Sequence, residues 1–299
     1  MKILVSGSHG LVGKALSKAL TKDGHEIINL VRRDRVYGKP EIEWHPNKGL
    51  LDPDQIEGFD AVVHLAGESI ASGRWTDEKK RRIRESRVQG TTLLSQALAG
   101  LSRPPKRFIS ASAIGYYGSR GDEVLTEDSR AGSDFLSDVC AEWEKATERA
   151  AEKGISTCTA RFGIILDKEG GALEKMLTPF RLGLGGKIGD GKQWMSWIGL
   201  EDVVSALVFL LESGSISGPV NIVAPNPVTN AEFTKTLGKV LSRPTFLSVP
   251  AFAARLAFGE MADGLLLSSA KVEPKKLKEA GFKYRFPNLE ASLTSVLKD

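Results

Sequence analysis

One segment constrains the fold of this chain more than any other. The apolar run Lys2–Ser6 leads into Gly7-Ser8-His9-Gly10-Leu11-Val12-Gly13, after which Leu11, Val12, Ala15, Leu16, Ala19 and Leu20 recur at helical spacing. A strand that turns into a helix across three glycines is a tight βα connection. The early glycines permit backbone conformations closed to other residues, and the last lets the helix pack closely on the strand. Free N–H groups and a partial positive charge gather at the start of such a helix. The turn therefore reads as a cradle for the pyrophosphate of a dinucleotide. A plain βα turn is the bland alternative, and the strand-turn-helix context weighs against it.

The alternation continues along the chain. Glu26–Val31, Ala61–Leu65, Phe108–Ser110, Ser156–Phe162 and Pro219–Val223 read as further strands. A long helix is expected from Thr76, a good N-cap followed by acidic residues, another from about Ser133 to Glu152, and a third over Val203–Leu211. Buried apolar strands separated by helices imply a parallel sheet covered on both faces, and right-handed crossovers make it a doubly wound α/β fold. The pattern changes after about Gly170. Gly183–Lys192 is glycine-rich and reads as a loop, and from Asn226 the chain is mostly helical and punctuated by Pro244, Pro250, Pro274 and Pro287. The chain has 299 residues, against domains of roughly 100–200. It divides into a dinucleotide-binding domain over 1–170, completed by about 198–225, and a smaller substrate lobe over 171–197 and 226–299 that caps the carboxyl edge of the sheet.

Composition narrows the partners. Forty-one basic and 37 acidic residues leave a net charge of +4, too balanced to argue for nucleic acid. The densest basic stretch, Lys79-Lys80-Arg81-Arg82, follows Asp77 and Glu78 and reads as a solvated helix face. No apolar run approaches the ~20 residues a membrane span needs. The two cysteines, Cys140 and Cys158, have no metal-site spacing and suit a reducing compartment. The first residues do not form a signal peptide. A cytoplasmic location is expected, with a removed organelle import sequence as the other possibility.

The end of the second strand bears on which dinucleotide binds. An NAD site places an acid there, roughly twenty residues past the turn, to hold the ribose hydroxyls. Here Val31 is followed by Arg32 and Arg33, with Asp34 only after them. A guanidinium forks well onto a 2′-phosphate, so NADP is favoured over NAD. Leu65-Ala66-Gly67-Glu68 closes the third strand with small residues that let a ribose pass near the backbone. His64, among apolar neighbours, reads as a satisfied core histidine.

These residues make the chain resemble the extended short-chain dehydrogenase/reductases, the group of nucleotide-sugar epimerases and dehydratases. Within it the chain is similar to an atypical subgroup of epimerase family proteins, sometimes called cell-division-inhibitor-like. The resemblance rests on the glycine turn, His64–Gly67, Ser86-Arg87-Val88-Gln89-Gly90-Thr91 and Ser110-Ala111-Ser112-Ala113-Ile114-Gly115-Tyr116-Tyr117-Gly118. It also takes in Arg161-Phe162-Gly163, Ser196-Trp197-Ile198 with Asp202, and the tail from Pro274 through Gly281-Phe282 to Phe286-Pro287. It implies a Rossmann fold, with the glycine turn, Arg32, Arg33, Leu65–Glu68, Arg87, Ser110, Ala111 and Arg161–Gly163 near the cofactor.

The resemblance also implies chemistry that this chain only partly carries. The family uses a Ser or Thr at the end of the fourth strand and a Tyr-x-x-x-Lys pair on the next helix, the tyrosine acting as general acid/base. Ser112 matches the first element, if one extra residue separates it from the following Tyr-Gly, with Ser110 in reserve. No tyrosine in the sequence is followed four residues later by lysine. The equivalent segment offers Phe135 or Leu136 for the tyrosine and Val139 or Cys140 for the lysine. Arg87 stands where the family has asparagine. Tyr116 is the leading substitute acid/base, with Tyr117, Asp138 and Glu142 as further candidates, each weighed against a packed aromatic ring or a surface carboxylate. Arg87 and Arg161 are candidates to hold an anionic substrate or a cofactor phosphate.

Gly186–Lys192 fits the P-loop spacing, but Gln193 stands where a Mg²⁺-binding hydroxyl is needed and no strand leads in, so ATP binding is set aside. Trp194, Met195 and Trp197 either line a pocket or pack in the core. Two functions remain. One is an NADP-dependent oxidoreductase or epimerase acting on a small polar substrate. The other is a catalytically silent NADP-binding sensor or scaffold. The helices from Thr76 and Ser133 are candidates to pair across a homodimer.

Overall fold

The computed structural model describes residues 1–36 and 38–298. The glycine turn joins strand β1 (Lys2–Ser6) to helix α1 (Leu11–Lys22) as the sequence predicts. The chain continues through β2 (Glu26–Val31), β3 (Glu41–Glu43), β4 (Ala61–His64), helix α2 (Asp77–Gly100), β5 (Arg107–Ala113) and helix α3 (Phe135–Lys145). With strands Ser156–Phe162 and Gly218–Ile222 these form one seven-stranded sheet. Its spatial order is 218–222, 156–162, β5, β4, β1, β2, β3, and every neighbouring pair is parallel. The strand order reverses between β1 and β4. In a doubly wound sheet that reversal opens a crevice at the carboxyl edge, and the glycine turn stands at it.

Alternation along the strands decides which helices cover which face. Ile3 and Val5 point to one side, with Leu16 and Leu20 of α1 and Val203, Leu207 and Leu210 of the helix Leu200–Glu212. Leu4, Val62 and Phe108 point to the other, with Leu94 and Leu98 of α2. A third cluster ties the remaining segments together: Leu173, Leu177 and Phe180 of the helix Gly171–Arg181 pack with Trp197, Phe233, Leu237 and Leu293. Trp197 is therefore a core residue.

Three local expectations need correction. Glu41–Glu43 is a seventh strand, too short and too charged to show periodicity. The helix expected over Ser133–Glu152 is two helices, Phe135–Lys145 and Glu148–Glu152. Thr147 separates them: its hydroxyl donates to the Glu144 carbonyl, and its own carbonyl accepts from Ser95. The stretch read as a loop contains strand Gly186–Ile188, paired in parallel with Leu247–Val249. A partner that distant in sequence leaves no local signal. The same strand disposes of the P-loop spacing, because Gln193 folds back and donates to the Ile188 and Leu266 carbonyls.

Candidate functional site

The turn that opens the site is fixed by close backbone packing. Gly7 has a φ of +71°, and a Cβ there would lie 2.6 Å from the Leu65 carbonyl carbon and 2.8 Å from the Ala66 nitrogen. A Cβ on Gly13 would lie 2.7 Å from Ser8 Cα. A side chain at Gly7 would fill the space between the ends of β1 and β4, and one at Gly13 would push the start of α1 off the turn. Gly10 begins α1 in extended conformation and offers no side-chain cap, so nothing on its side chain competes for the first N–H groups. A crevice of bare backbone at a helix start fits a pyrophosphate.

The two arginines after β2 behave differently. Arg33 forks onto the buried Glu41 carboxylate at 2.7 and 3.0 Å and also reaches the Asp34 carbonyl. Its hydrogen bond holds the Glu41 carboxyl below the usual range. Arg32 is exposed, has no side-chain hydrogen bond among the described residues, and lies close enough to Glu68 for their charges to interact. Sequence reasoning missed Glu41 because the strand that carries it was invisible.

Beside the turn, His64 is wholly buried between Ser6 Oγ, 2.6 Å from Nδ1, and Thr91 Oγ1, 3.0 Å from Nε2. Burial alone pushes its pKa down to about 4, so it is a neutral core residue, as the sequence suggests. Trp143 Nε1 donates to the same Thr91 hydroxyl. Ser6, His64, Thr91 and Trp143 thus form one chain from β1 through β4 and α2 to α3. The loop after β4 is anchored by Lys79, whose ammonium meets Glu68 at 2.7 Å and Ser72 at 2.9 Å. Its hydrogen bond keeps the Glu68 carboxyl low. Lys79 is buried, which corrects its reading as part of a solvated face; Arg81 and Arg82 do lie on that face, each beside a glutamate.

The region expected to carry proton transfer is occupied otherwise. Leu136 and Cys140 lie one turn apart on α3 and both face Gly115, where a Cβ would meet Leu136 at 3.3 Å and the Cys140 sulfur at 3.7 Å. Phe135 and Val139 have the same four-residue spacing on α3. Burial pushes the Cys140 thiol up to about 12. Phe135 instead meets Trp75 edge-on. Trp75 and Leu136 are both covered by Gly264, in a single turn of π-helix, Ala262–Leu266.

Ser112 donates to Glu144 Oε1 at 2.7 Å. Arg161 grips the same carboxylate with Nε and one terminal nitrogen, both at 2.7 Å, and its other terminal nitrogen donates to Tyr117 Oη. Tyr117 donates in turn to Asn221. The Arg161 guanidinium lies 3.5 Å from the centre of the Tyr116 ring. Burial works against its charge, but the Glu144 carboxylate outweighs that and the Arg161 pKa ends up raised. Burial carries Tyr117 up to about 12. The expectation that Arg161 offers its guanidinium to an outside anion is thereby corrected: the side chain is 3% exposed and engaged internally. Tyr116 and Glu144 line an open groove of about 740 Å³ that runs toward Ile155 at the start of the neighbouring strand. Of the other carboxylates considered, Glu142 pairs with Arg84 on α2. Ser110 and Ala111 are enclosed within the sheet, and Gly163 is small because Ser196 and Val223 press against it.

Comparison with known proteins agrees with this geometry. The model of the NAD dependent epimerase/dehydratase family matches residues 3–223, and a domain of unknown function matches 249–296. An epimerase family protein of Mycobacterium leprae is 42% identical over 292 residues, covering 98% of this chain and 94% of that protein. The crystal structure of human epimerase family protein SDR39U1 with NADPH superposes with a TM-score of 0.91 at 34% identity, all of both chains being covered. A Thermotoga maritima UDP-glucose 4-epimerase, at 18% identity and a TM-score of 0.76 over 100% of this chain and 98% of that one, shares the fold. No helix among the described residues is long and apolar enough to cross a membrane. With the wedged glycine turn, the reversed strand order and this match across most of its length, the chain belongs to the NAD dependent epimerase/dehydratase family.

Proposed function

We propose that the chain binds NADP(H) along the carboxyl edge of β1, β2 and β4 and acts as an oxidoreductase or epimerase on a small polar substrate. The observation that carries this reading is the glycine turn wedged on Leu65 and Ala66, with the exposed Arg32 at the end of the adjacent strand. In this reading the backbone from Gly7 through Val12, including Ser8, His9, Gly10 and Leu11, holds the pyrophosphate. Arg32, with Arg33 behind it, meets the 2′-phosphate. Leu65–Glu68 borders one ribose. Ser110, Ala111, Phe162 and Gly163 bound the nicotinamide side through backbone and apolar surface. NADPH would supply a hydride.

The chain's own groups must then handle protons without a Tyr–Lys pair. Ser112 gives its hydrogen to Glu144, which leaves its oxygen able to accept from a substrate hydroxyl. Tyr116, against Arg161, is the neighbouring phenol. The lobe over 171–197 and 226–299 supplies substrate selection. The buried thiols fit a reducing, cytoplasmic setting.

A second reading, binding without turnover, is favoured by one observation: α3 carries Phe135 or Leu136, and Val139 or Cys140, where the resemblance implies the Tyr and the Lys. One experiment separates the two. The purified chain is titrated with NADPH and NADH, then assayed for NADPH oxidation against aldehydes, ketones and quinones, and for conversion of UDP-sugars. Turnover above background that drops at least tenfold in Tyr116→Phe supports the enzyme and its phenol. Tight binding with no turnover supports the silent protein, and NADH binding as tightly as NADPH overturns the NADP preference.

A further inference from the structure

Most of the large apolar side chains that this chain leaves in water are gathered in one region. Of the twelve exposed ones among the described residues, eight lie within residues 182–184 and 246–258. The fold makes these segments neighbours. Strand Gly186–Ile188 pairs with Leu247–Val249, and Arg243 Nε donates to the Arg181 carbonyl at 2.8 Å. A Cβ on Gly183 would stand 3.7 Å from the Pro244 ring. Phe246 is 82% exposed, and Phe252 and Leu256, one turn apart on the helix Ala251–Phe258, are 71% and 76% exposed. That helix buries only Ala254. Its end is held by Arg74, from the loop after β4, which donates to the Leu256 and Ala257 carbonyls. Apolar residues scattered singly on a surface need no explanation, but a cluster marks a contact.

Charge decides what can cover it. Residues 181–189 and 243–259 hold Arg181, Lys187, Arg243 and Arg255 and no aspartate or glutamate. Arg255 pairs with Asp263. Lys187 and Arg243 reach only backbone carbonyls among the described residues, and Arg181 is exposed. A second copy meeting this face with its own would set these cations against an identical set. A peptide strand added at Leu247–Val249 would find a three-residue edge, with Pro250 at its end and Pro244 shortly before it. Phe246, Phe252 and Leu256 project from the surface instead of walling a pocket. A bilayer interface asks for no matching groove: it takes in projecting apolar side chains, while anionic headgroups attract the cations beside them.

We propose that this face seats the protein on a bilayer surface bearing anionic phospholipids. Phe246, Phe252 and Leu256 enter the boundary between headgroups and acyl chains, and Arg181, Lys187 and Arg243 meet the phosphates. The contact is peripheral, since no helix among the described residues is long and apolar enough to cross a membrane. It does not depend on the NADP(H) reading.

The test is co-sedimentation of the full chain with vesicles of phosphatidylcholine alone and of phosphatidylcholine with an equal part of phosphatidylglycerol. The mixed vesicles should bind about tenfold more tightly or better, and raising the salt should weaken that binding. Phe252→Ser with Leu256→Ser should lower partitioning into mixed vesicles about tenfold or more. Arg181→Gln with Arg243→Gln should bring it about tenfold closer to that of neutral vesicles. All four side chains are exposed, so both variants should melt with the parent. If one melts early, Phe246→Ser or Lys187→Gln puts the same question at a separate position. Absence of binding to either vesicle, equal binding to both, or binding unchanged in the variants overturns the proposal. A concentration-dependent dimer in analytical ultracentrifugation that Phe252→Ser with Leu256→Ser abolishes would make a second copy the occupant and overturn it as well.

Discussion

The glycine turn follows β1 and the α3 region follows β5, two strands of one sheet with β4 between them, yet they are built by different rules. At the turn, backbone geometry dictates the residue: Gly7 and Gly13 lie where any side chain would strike main chain. Around α3, side-chain chemistry fills the space, in an ion-pair and hydrogen-bond cluster of Glu144, Arg161, Ser112 and Tyr117 beside an open groove. The comparison teaches that cofactor binding and proton transfer are separable parts of this fold. The first rests on backbone shape, and the second would rest on the side chains gathered around α3. It also suggests where to break the molecule so that one part fails without the other.

The largest effect is expected in the cluster. Arg161→Ala strands the Glu144 carboxylate in a site where its side chain is 13% exposed. Removing one partner of a buried pair costs about 3–5 kcal/mol. Urea unfolding should show that loss, while NADPH affinity of the folded fraction changes little. A loss under about 1 kcal/mol would mean the pair behaves as a surface salt bridge. A matching collapse of NADPH affinity would mean the two regions are not separable.

The next effect runs through the link between them. The hydrogen-bond chain from Ser6 to Trp143 passes through His64, whose pKa lies at about 4 against an ordinary 6.5. The folded state therefore keeps this imidazole neutral, whereas the unfolded chain protonates it as pH falls through 6.5. Stability from His64 should be complete above pH 6.5, decline as pH drops toward 4 and level off below. The full span corresponds to about 3 kcal/mol at most. Unfolding free energies measured from pH 7.5 down to 4 in the parent and in His64→Gln would isolate the contribution. Parallel pH curves for the two proteins would remove His64 as its source.

Much of the turn region was legible because its rules are local. Three glycines at fixed spacing, an apolar strand before them and a helical repeat after them all lie within two dozen residues of the chain's start. The Arg32–Arg33 pair was equally visible, but its division of labour was not, since Arg33 is claimed by Glu41 on a three-residue edge strand. Around α3 the absence of a lysine was plain from the sequence. What surrounds that position was not, because Gly115 meets Leu136 and Cys140 only when the segment after β5 packs on α3. The Ser112–Glu144–Arg161 cluster was hidden for the same reason: its members come from three separate elements. Arg161 looked available to an anion only because its partner could not be read from spacing.

The smallest expected effect sharpens the comparison within the turn region itself. If NADP is preferred through a 2′-phosphate, the two arginines should contribute unequally. Arg32 is exposed and has no side-chain hydrogen bond among the described residues, whereas Arg33 already spends its fork on Glu41. Arg32→Ala should weaken NADPH binding about tenfold, near 1.4 kcal/mol, and leave NADH binding almost unchanged, so the preference narrows. Arg33→Ala removes a partner from the buried Glu41 carboxylate, so its main signature should be lower stability, with a smaller change in preference. Titrating both cofactors into both variants, alongside thermal melts, checks each point. Equal loss of preference in the two variants would place both guanidiniums on the phosphate and break Arg33 away from Glu41 when cofactor binds. Loss in Arg33→Ala alone would reverse the assignment and make Arg32 the solvated member of the pair.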